Sequence, residues 1–359
     1  MSLTDSPPAT DKRRKRAPRF VEIATRAGVS MATVNRVLNE RGGVSPLLTE
    51  RVIAAARELG VPRVLPTTHR GVTRLDVLLV KSPTPYFARL ERAWQLHAQA
   101  LSPGVVIHLL RVSEKEALRH LGARTQGHPR DGLVVALHDS EPIRAALRQE
   151  VARGVPVVTL MSGVRAVPGL RYAGIDNWQA GRTAGHVIGR TAQGPGTVLL
   201  LTNALSFRAH AERVGGCTEA LLQRFPALRP TDPVSCEDDA DRAQMALRQA
   251  VSQAARDGTR LAGLYSSGAG TAGIAAWLSR LPPEDRPVWV AHELSDEHRT
   301  HMAEGLLEMV IDQDPDGQVA VALQHLLHAC GHVEAPASNA PNPFRLYCRE
   351  NMAMQPYLP

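Results

Sequence analysis

The stretch from 20 to 60, FVEIATRAGVSMATVNRVLNERGGVSPLLTERVIAAARELG, most narrows what this chain can fold into. It reads as three short helices. The first runs from Phe20 to Ala27 and stops at Gly28, because a left-handed backbone costs glycine little. Ser30 is placed to cap a second helix that carries Val34, Val37 and Leu38 on one face. Ser45 is placed to cap a third, and Pro46 suits its first position, where the missing N–H has no partner to lose. Val52, Ala56 and Leu59 form the inward stripe of that helix. A helix, a glycine turn and a second helix with a polar outer face make a helix-turn-helix, the unit that lays its second helix in the DNA major groove.

The distribution of charge points the same way. The chain carries a net charge of +7. Residues 1–74 hold 14 Lys and Arg against 6 Asp and Glu, whereas the remainder holds 28 against 29. A localised excess suggests a DNA-binding module on a neutral body rather than a general polyanion binder. The run KRRKRAPR, 12–19, reads as a disordered basic arm over residues 1–18. It lacks the apolar core of a signal peptide. Cys217, Cys236, Cys330 and Cys348 are far apart and lack C-x-x-C spacing, which argues against a zinc ribbon and a disulfide framework. Free thiols and no signal peptide predict a cytoplasmic, nucleoid-associated protein. No apolar run approaches the ~20 residues of a membrane span. No metal or cofactor is expected.

After residue 61 the texture changes. PRVLPTTHRGVT reads as a linker over 62–74, which bounds a headpiece at 19–61 and a core at 75–359. In the core, short apolar runs alternate with amphipathic stretches. The strand candidates are 75–80, 105–110, 132–137, 156–161, 197–202, 261–266, 287–292 and 307–312. Such alternation predicts parallel sheets with helices on both faces. There is more of it than one sheet ordinarily uses, so two lobes with a cleft between them are expected. The fold class is therefore an all-α helix-turn-helix headpiece plus an α/β two-lobed core with parallel sheets.

Three motifs invite enzymatic readings. GAGTAG, 268–273, matches G-x-G-x-x-G between a strand and a helix, with Glu293 about twenty residues on, where a ribose-binding acid belongs. This makes a dinucleotide-binding α/β enzyme the competing reading, weakened because the unit lies deep in an α/β series rather than at its start. HELSDEH, 292–298, resembles a zinc-protease motif, but His292 and His298 are six apart and face different sides of a helix. His138, Asp139 and Ser140 are neighbours in sequence and cannot form a nucleophile–base–orienter chain with one another. They read instead as a loop at a strand's C-terminal end, where ligand contacts gather in α/β sheets.

The run I-A-x-x-A-G-V-S-x-A-T-V-x-R-V-L-N, followed by E-R-V-I-A-A-A-R-E-L-G, resembles the headpiece of the lactose/galactose repressor family of bacterial transcriptional regulators. The core resembles that family's ligand core, which is periplasmic-binding-protein-like, and its run HELSDEHR to IDQDP resembles a sugar-responsive branch. The resemblance implies a repressor that binds double-stranded operator DNA as a homodimer and responds to a small carbohydrate effector. AGIDNWQAGRTAGHVI points to Asp176 as an effector contact, and RAHAERVGGCTEAL to Arg213. VAHELS points to Glu293, IDQDP to Gln313, and LYSSGAG to Ser267. Tyr86 and Phe87 match the ring-stacking positions of ribose-type binders; Trp178 and Asp139 complete the set. Hydroxyl-rich ligands require amide and charged groups in fixed planes and aromatic faces against the ring. No second basic cluster is visible, which favours a neutral sugar or polyol over a phosphorylated one.

On the DNA side, Met31, Ala32, Asn35 and Arg36 are expected to face the groove, with Ser30 and Thr33 beside the phosphates and Asn39 at the helix end. In the family, the two positions after the capping serine set operator preference. Met31 and Ala32 can touch a thymine methyl but cannot read guanine by paired hydrogen bonds. Asn35 suits adenine, and Arg36 carries most of the polar readout. Family members form a hinge helix in the linker, with a leucine wedged into the minor groove. Pro66, Thr67 and Thr68 oppose such a helix, so it is expected to be truncated or absent, with Leu65 as the one plausible wedge.

Overall fold

The structure, a computed structural model, describes residues 20–39, 41, 44, 46–61, 72–101, 104–122, 130–268 and 270–352. Residue contacts divide the chain into two units, with the division at residues 71 and 72. The basic arm, Ser45 and the expected hinge with Leu65 lie outside the described residues.

The first unit contains α1 (Phe20–Ala27), α2 (Met31–Leu38) and α3 (Pro46–Glu58). Gly28 takes φ +63° between α1 and α2. Ser30 caps α2 by accepting the Thr33 N–H at 3.1 Å. Ile23, Val34, Val37, Leu38, Val52 and Ala56 form one small core, as their periodicity demands. An Arg26–Glu58 ion pair at 2.6 Å joins α1 to α3 on the surface.

The second unit begins at β1 (Thr73–Val80), inside the segment read as linker. There follow α4 (Pro85–Gln99), β2 (Val105–Val112), α5 (Glu114–Gly122), β3 (Gly132–Ala136), α6 (Glu141–Ala152), β4 (Val157–Leu160) and β5 (Arg171–Ala173). These strands make a five-stranded parallel sheet in the order β2-β1-β3-β4-β5. Leu75, Val77, Leu78 and Leu79 of β1 are all fully buried, because helices cover both faces. Each such side chain contributes ~1.5–3 kcal/mol over an exposed one. That is why β1 reads as a continuous apolar run rather than an alternating one.

The second lobe holds α7 (Asn177–Thr191), β6 (Gly196–Thr202), α8 (Arg208–Arg224), β7 (Leu228–Pro230), β8 (Val234–Ser235), α9 (Ala240–Arg256), β9 (Leu261–Ser266), α10 (Thr271–Leu278), β10 (Val288–His292), α11 (Asp296–Ala303) and β11 (Met309–Asp312). Then α12 (Pro315–Ala329) returns to pack on the first lobe beside α4, and β12 (Arg345–Tyr347) comes back to pair antiparallel with β11. The main strand order is β12-β11-β10-β9-β6-β7, with β8 on β6. The chain thus crosses between lobes after β5, after β11 and after α12. Strands β5, β7, β8 and β12, of two or three residues each, were not foreseen from sequence.

Helices α7 and α8 meet backbone to backbone. A Cβ added at Gly181 would stand 1.9 Å from the Arg213 carbonyl oxygen, and one at Gly216 would stand 2.2 Å from that of Trp178. Only glycine permits this approach, and it fixes where Arg213 sits. Among the described residues no helix is long and apolar enough to cross a membrane.

Candidate functional site

In both lobes the strands end on one cavity of about 630 Å³, a volume suited to a small ligand. Its walls include Lys81 after β1, His138 after β3, Met161 after β4, Asn203 after β6, Gly268 after β9, Glu293 after β10 and Gln313 after β11. Ligands gather at the carboxyl ends of strands in such sheets because neighbouring chain ends diverge there.

Six of the residues named from sequence converge here. Tyr86 and Phe87, at the start of α4, line the cavity with Arg213, Glu293 and Gln313. Their rings meet edge to face at 5.6 Å. Tyr86 donates its hydroxyl hydrogen to Gln318 Oε1 at 3.0 Å, and Gln318 donates to the Gln313 carbonyl at 2.9 Å, which holds both in place. Ser267 lies fully buried just behind the wall; its carbonyl accepts from Arg213 Nη1 at 2.9 Å. Arg213 Nε donates to Asn177 Oδ1 at 2.8 Å. Gln313 Nε2 donates to Glu293 Oε1.

These groups are nearly dry yet incompletely bonded. Arg213 and Gln313 are each 2% exposed and Glu293 8%. Arg213 Nη2, His292 Nδ1, Glu293 Oε2 and Gln313 Oε1 are all buried without a hydrogen-bond partner, and all four residues line the cavity. Leaving such atoms unmet costs about 1–3 kcal/mol each, so their clustering marks a place where polar ligand atoms complete the set.

Electrostatics sharpen the picture. Burial, reinforced by the nearby Asp312 carboxylate, pushes the Glu293 carboxyl up to about 7. Glu293 also holds a left-handed backbone, φ +72°, a strain typical of functional positions. Burial alone would raise Asp312 too, but Arg89 grips it with two hydrogen bonds at 2.5 and 3.2 Å and the Leu294 and Asp314 N–H groups add more. Asp312 therefore stays below its ordinary value. Burial, then the Arg213 charge, lowers His210 to about 3 and keeps it neutral.

Three of the residues named from sequence stand off the cavity wall. Asp139 is spent on Arg144 at 2.6 Å and Arg165 at 2.7 Å, and borders a separate surface depression. Asp176 caps α7 by accepting the Gln179 N–H at 2.9 Å. Trp178 is 40% exposed and lies over Gly215 on the outer surface. Sequence reasoning missed Asn177, His292, Arg89 and Asp312, whose roles arise from partners distant in the chain. A signal was present for three of them, since Asn177, His292 and Asp312 adjoin residues already singled out.

The motif GAGTAG has a packing explanation. Gly268 and Gly270, at φ +140° and +77°, turn the chain into α10. A Cβ at Gly273 would stand 2.1 Å from the Ala240 carbonyl. His298 shares a hydrogen bond with Thr271 at 2.9 Å, and no metal-holding group of His, Cys, Asp or Glu occurs among the described residues.

On α2, Met31, Ala32 and Arg36 are exposed and Asn35 is half-buried; Asn39, at the C-cap, is exposed. Asn39 Nδ2 donates to Asn35 Oδ1, so a two-bond reading of adenine by Asn35 uses the second lone pair of that oxygen.

The core is a two-lobed fold around a cavity of small-ligand size, in a chain that also carries a helix-turn-helix. Residues 123–332 match the periplasmic binding protein domain, and residues 20–61 match the lacI family of bacterial regulatory proteins. The chain belongs to the periplasmic binding protein domain family, with a lacI-family helix-turn-helix at its N-terminal side. It is 31% identical over 228 residues to the HTH-type transcriptional regulator CelR of Thermobifida fusca, across 58% of this chain and 62% of that one. It is 29% identical over 199 residues to the HTH-type transcriptional regulator GntR of Pseudomonas aeruginosa, across 53% and 55%. The matched part thus spans less than two thirds of either relative. A Burkholderia graminis ABC-transporter solute binding protein, solved with D-arabinose, superposes with a TM-score of 0.69 over 80% of this chain and 99% of its own; at 17% identity the likeness is one of fold.

Proposed function

We propose that this protein is a sequence-specific DNA-binding transcriptional regulator, a repressor whose operator affinity is set by a sugar or sugar derivative held in the cavity. The observation that carries the effector half is the set of four buried polar atoms without a hydrogen-bond partner around one cavity. Hydroxyls both donate and accept, so a carbohydrate satisfies such a mixed set. Arg213, Glu293 and Gln313 make the polar contacts, with Tyr86 and Phe87 against the ring. Support for the DNA half comes from the exposed outer face of α2 and the concentration of positive charge in residues 1–74.

The working unit is a cytoplasmic homodimer on a pseudo-palindromic operator, without a cofactor and without catalysis. The headpiece spans residues 19–61, and the core takes in β1 from Thr73 onwards. The dinucleotide alternative is not favoured, because the relatives that match this chain are transcriptional regulators. Chromatin immunoprecipitation with sequencing tests the proposal. Peaks sharing an inverted-repeat motif beside carbohydrate-utilisation genes support it. Binding without a shared motif overturns it.

A further inference from the structure

Arg213 is held by more than its helix. Its Nε is occupied by Asn177 Oδ1 and its Nη1 by the Ser267 carbonyl, and Nη2 is the nitrogen left without an acceptor. Asn177 is itself 2% exposed and is fixed from its other end. Its Nδ2 donates to the Tyr172 hydroxyl at 3.1 Å and reaches the Met161 and Ile175 carbonyls at 3.4 Å. The Tyr172 hydroxyl in turn donates towards the Ile175 carbonyl at 2.8 Å. The amide therefore cannot swing away when a ligand arrives without breaking several buried bonds.

We infer that Asn177, by occupying Arg213 Nε, sets the inner end of the cavity for the hydroxyls of neutral sugars and against carboxylates and phosphates. The inference rests on the carbohydrate reading above and names the class of carbohydrate. An oxyanion binds arginine best through two parallel N–H groups, and the side-on pair of Nε and Nη2 is broken when Asn177 takes Nε. The neighbouring vacancies argue the same way. Glu293 Oε2 and Gln313 Oε1 are acceptors that need donors. A carboxylate or phosphate oxygen brings Gln313 Oε1 none, and it would oppose the ionised form of Glu293 with like charge. A sugar hydroxyl accepts from Arg213 Nη2 and gives its own hydrogen to Glu293 or Gln313. The other nearby cations are engaged: Arg89 is bound to both oxygens of Asp312, and Lys81, on the cavity wall, is paired with Glu116 at 2.8 Å.

Asn177 is thus a positioning residue that acts through Arg213. The test is calorimetric titration of the full chain with D-glucose, D-galactose, D-xylose and maltose, each against its aldonic acid, with D-glucose 6-phosphate added. The expected result is that at least one neutral sugar binds and that its acid or phosphate binds at least about tenfold more weakly. An anionic member binding as tightly as its neutral parent overturns the inference. If no member of either kind binds, the carbohydrate reading fails and the inference with it, a pattern distinct from anion preference. Asn177→Ala frees Nε and should reduce the discrimination below about threefold. Asn177→Asp keeps an acceptor for Nε and should retain it. Equal loss of neutral and anionic binding in Asn177→Ala would mean that the residue serves only the fold, and would overturn its assigned role.

Discussion

Replacing Glu293 by Gln tests the electrostatics of the cavity without changing its shape. The folded protein holds the Glu293 carboxyl up to about 7, against an ordinary value of 4.5, because burial and Asp312 penalise its charge. A raised carboxyl makes its full contribution to stability below pH 4.5. It loses that contribution as pH rises to about 7, where the folded state is at last forced to ionise it. The shift of about 2.5 pH units corresponds to roughly 3 kcal/mol, of which about 2 kcal/mol is lost between pH 5 and 7.5. Gln keeps the length and the amide plane but cannot ionise. Urea denaturation of both proteins at pH 5 and 7.5 reads the difference. Relative to Glu293→Gln, the wild-type core should lose about 2 kcal/mol over that interval. Parallel pH profiles would refute the claim that burial and Asp312 hold the Glu293 carboxyl above its ordinary value. A bound neutral sugar, by donating to Oε2, should lower the carboxyl and release a proton near pH 6.5, visible as a buffer-dependent binding enthalpy.

Arg36→Ala should cost ~1–3 kcal/mol on the operator and much less on random DNA; equal losses in fluorescence anisotropy would make Arg36 a phosphate contact only. Gly181→Ala forces a Cβ to within 1.9 Å of the Arg213 carbonyl, so α7 and α8 must separate. Overpacking of this kind costs about 1–3 kcal/mol, and the displaced Arg213 should weaken effector binding as well. Gly122→Ala, with open space around the added carbon, is the control and should leave the melting temperature within error.

How much of this was legible beforehand depends on the range of the interactions. Seven of the eight strands foreseen were readable because strands buried on both faces are apolar, as in LAGLYS of β9, whereas the edge strand β2, with Val106 and His108 exposed, was readable from its apolar run alone. Short strands such as β8 exist only because a neighbour offers a free edge, and leave little trace in their own residues. The α1 and α2 boundaries were readable because Gly28 and Ser30 act locally. In the cavity, residue type pointed to Arg213, Glu293 and Gln313, but type alone could not reveal which side chains were already engaged. Asp139 looked like a ligand contact until Arg144 and Arg165 were found on its oxygens. Asp176 looked the same, yet its carboxylate serves the start of α7, while the adjacent Asn177 reaches Arg213. A helix cap and a ligand contact use the same residue types, and only the fold separates them.

The central claim is that occupancy of the cavity changes affinity for DNA. The direct measurement is fluorescence anisotropy of a labelled operator fragment, titrated with the full chain in the presence and absence of the neutral sugar that binds it. Saturating sugar should change operator affinity at least about tenfold, the scale of a typical coupling free energy. Arg213→Ala should bind the operator like wild type and not respond to the sugar. An operator affinity unchanged by saturating sugar would contradict the account, as would an Arg213→Ala protein that responds in full.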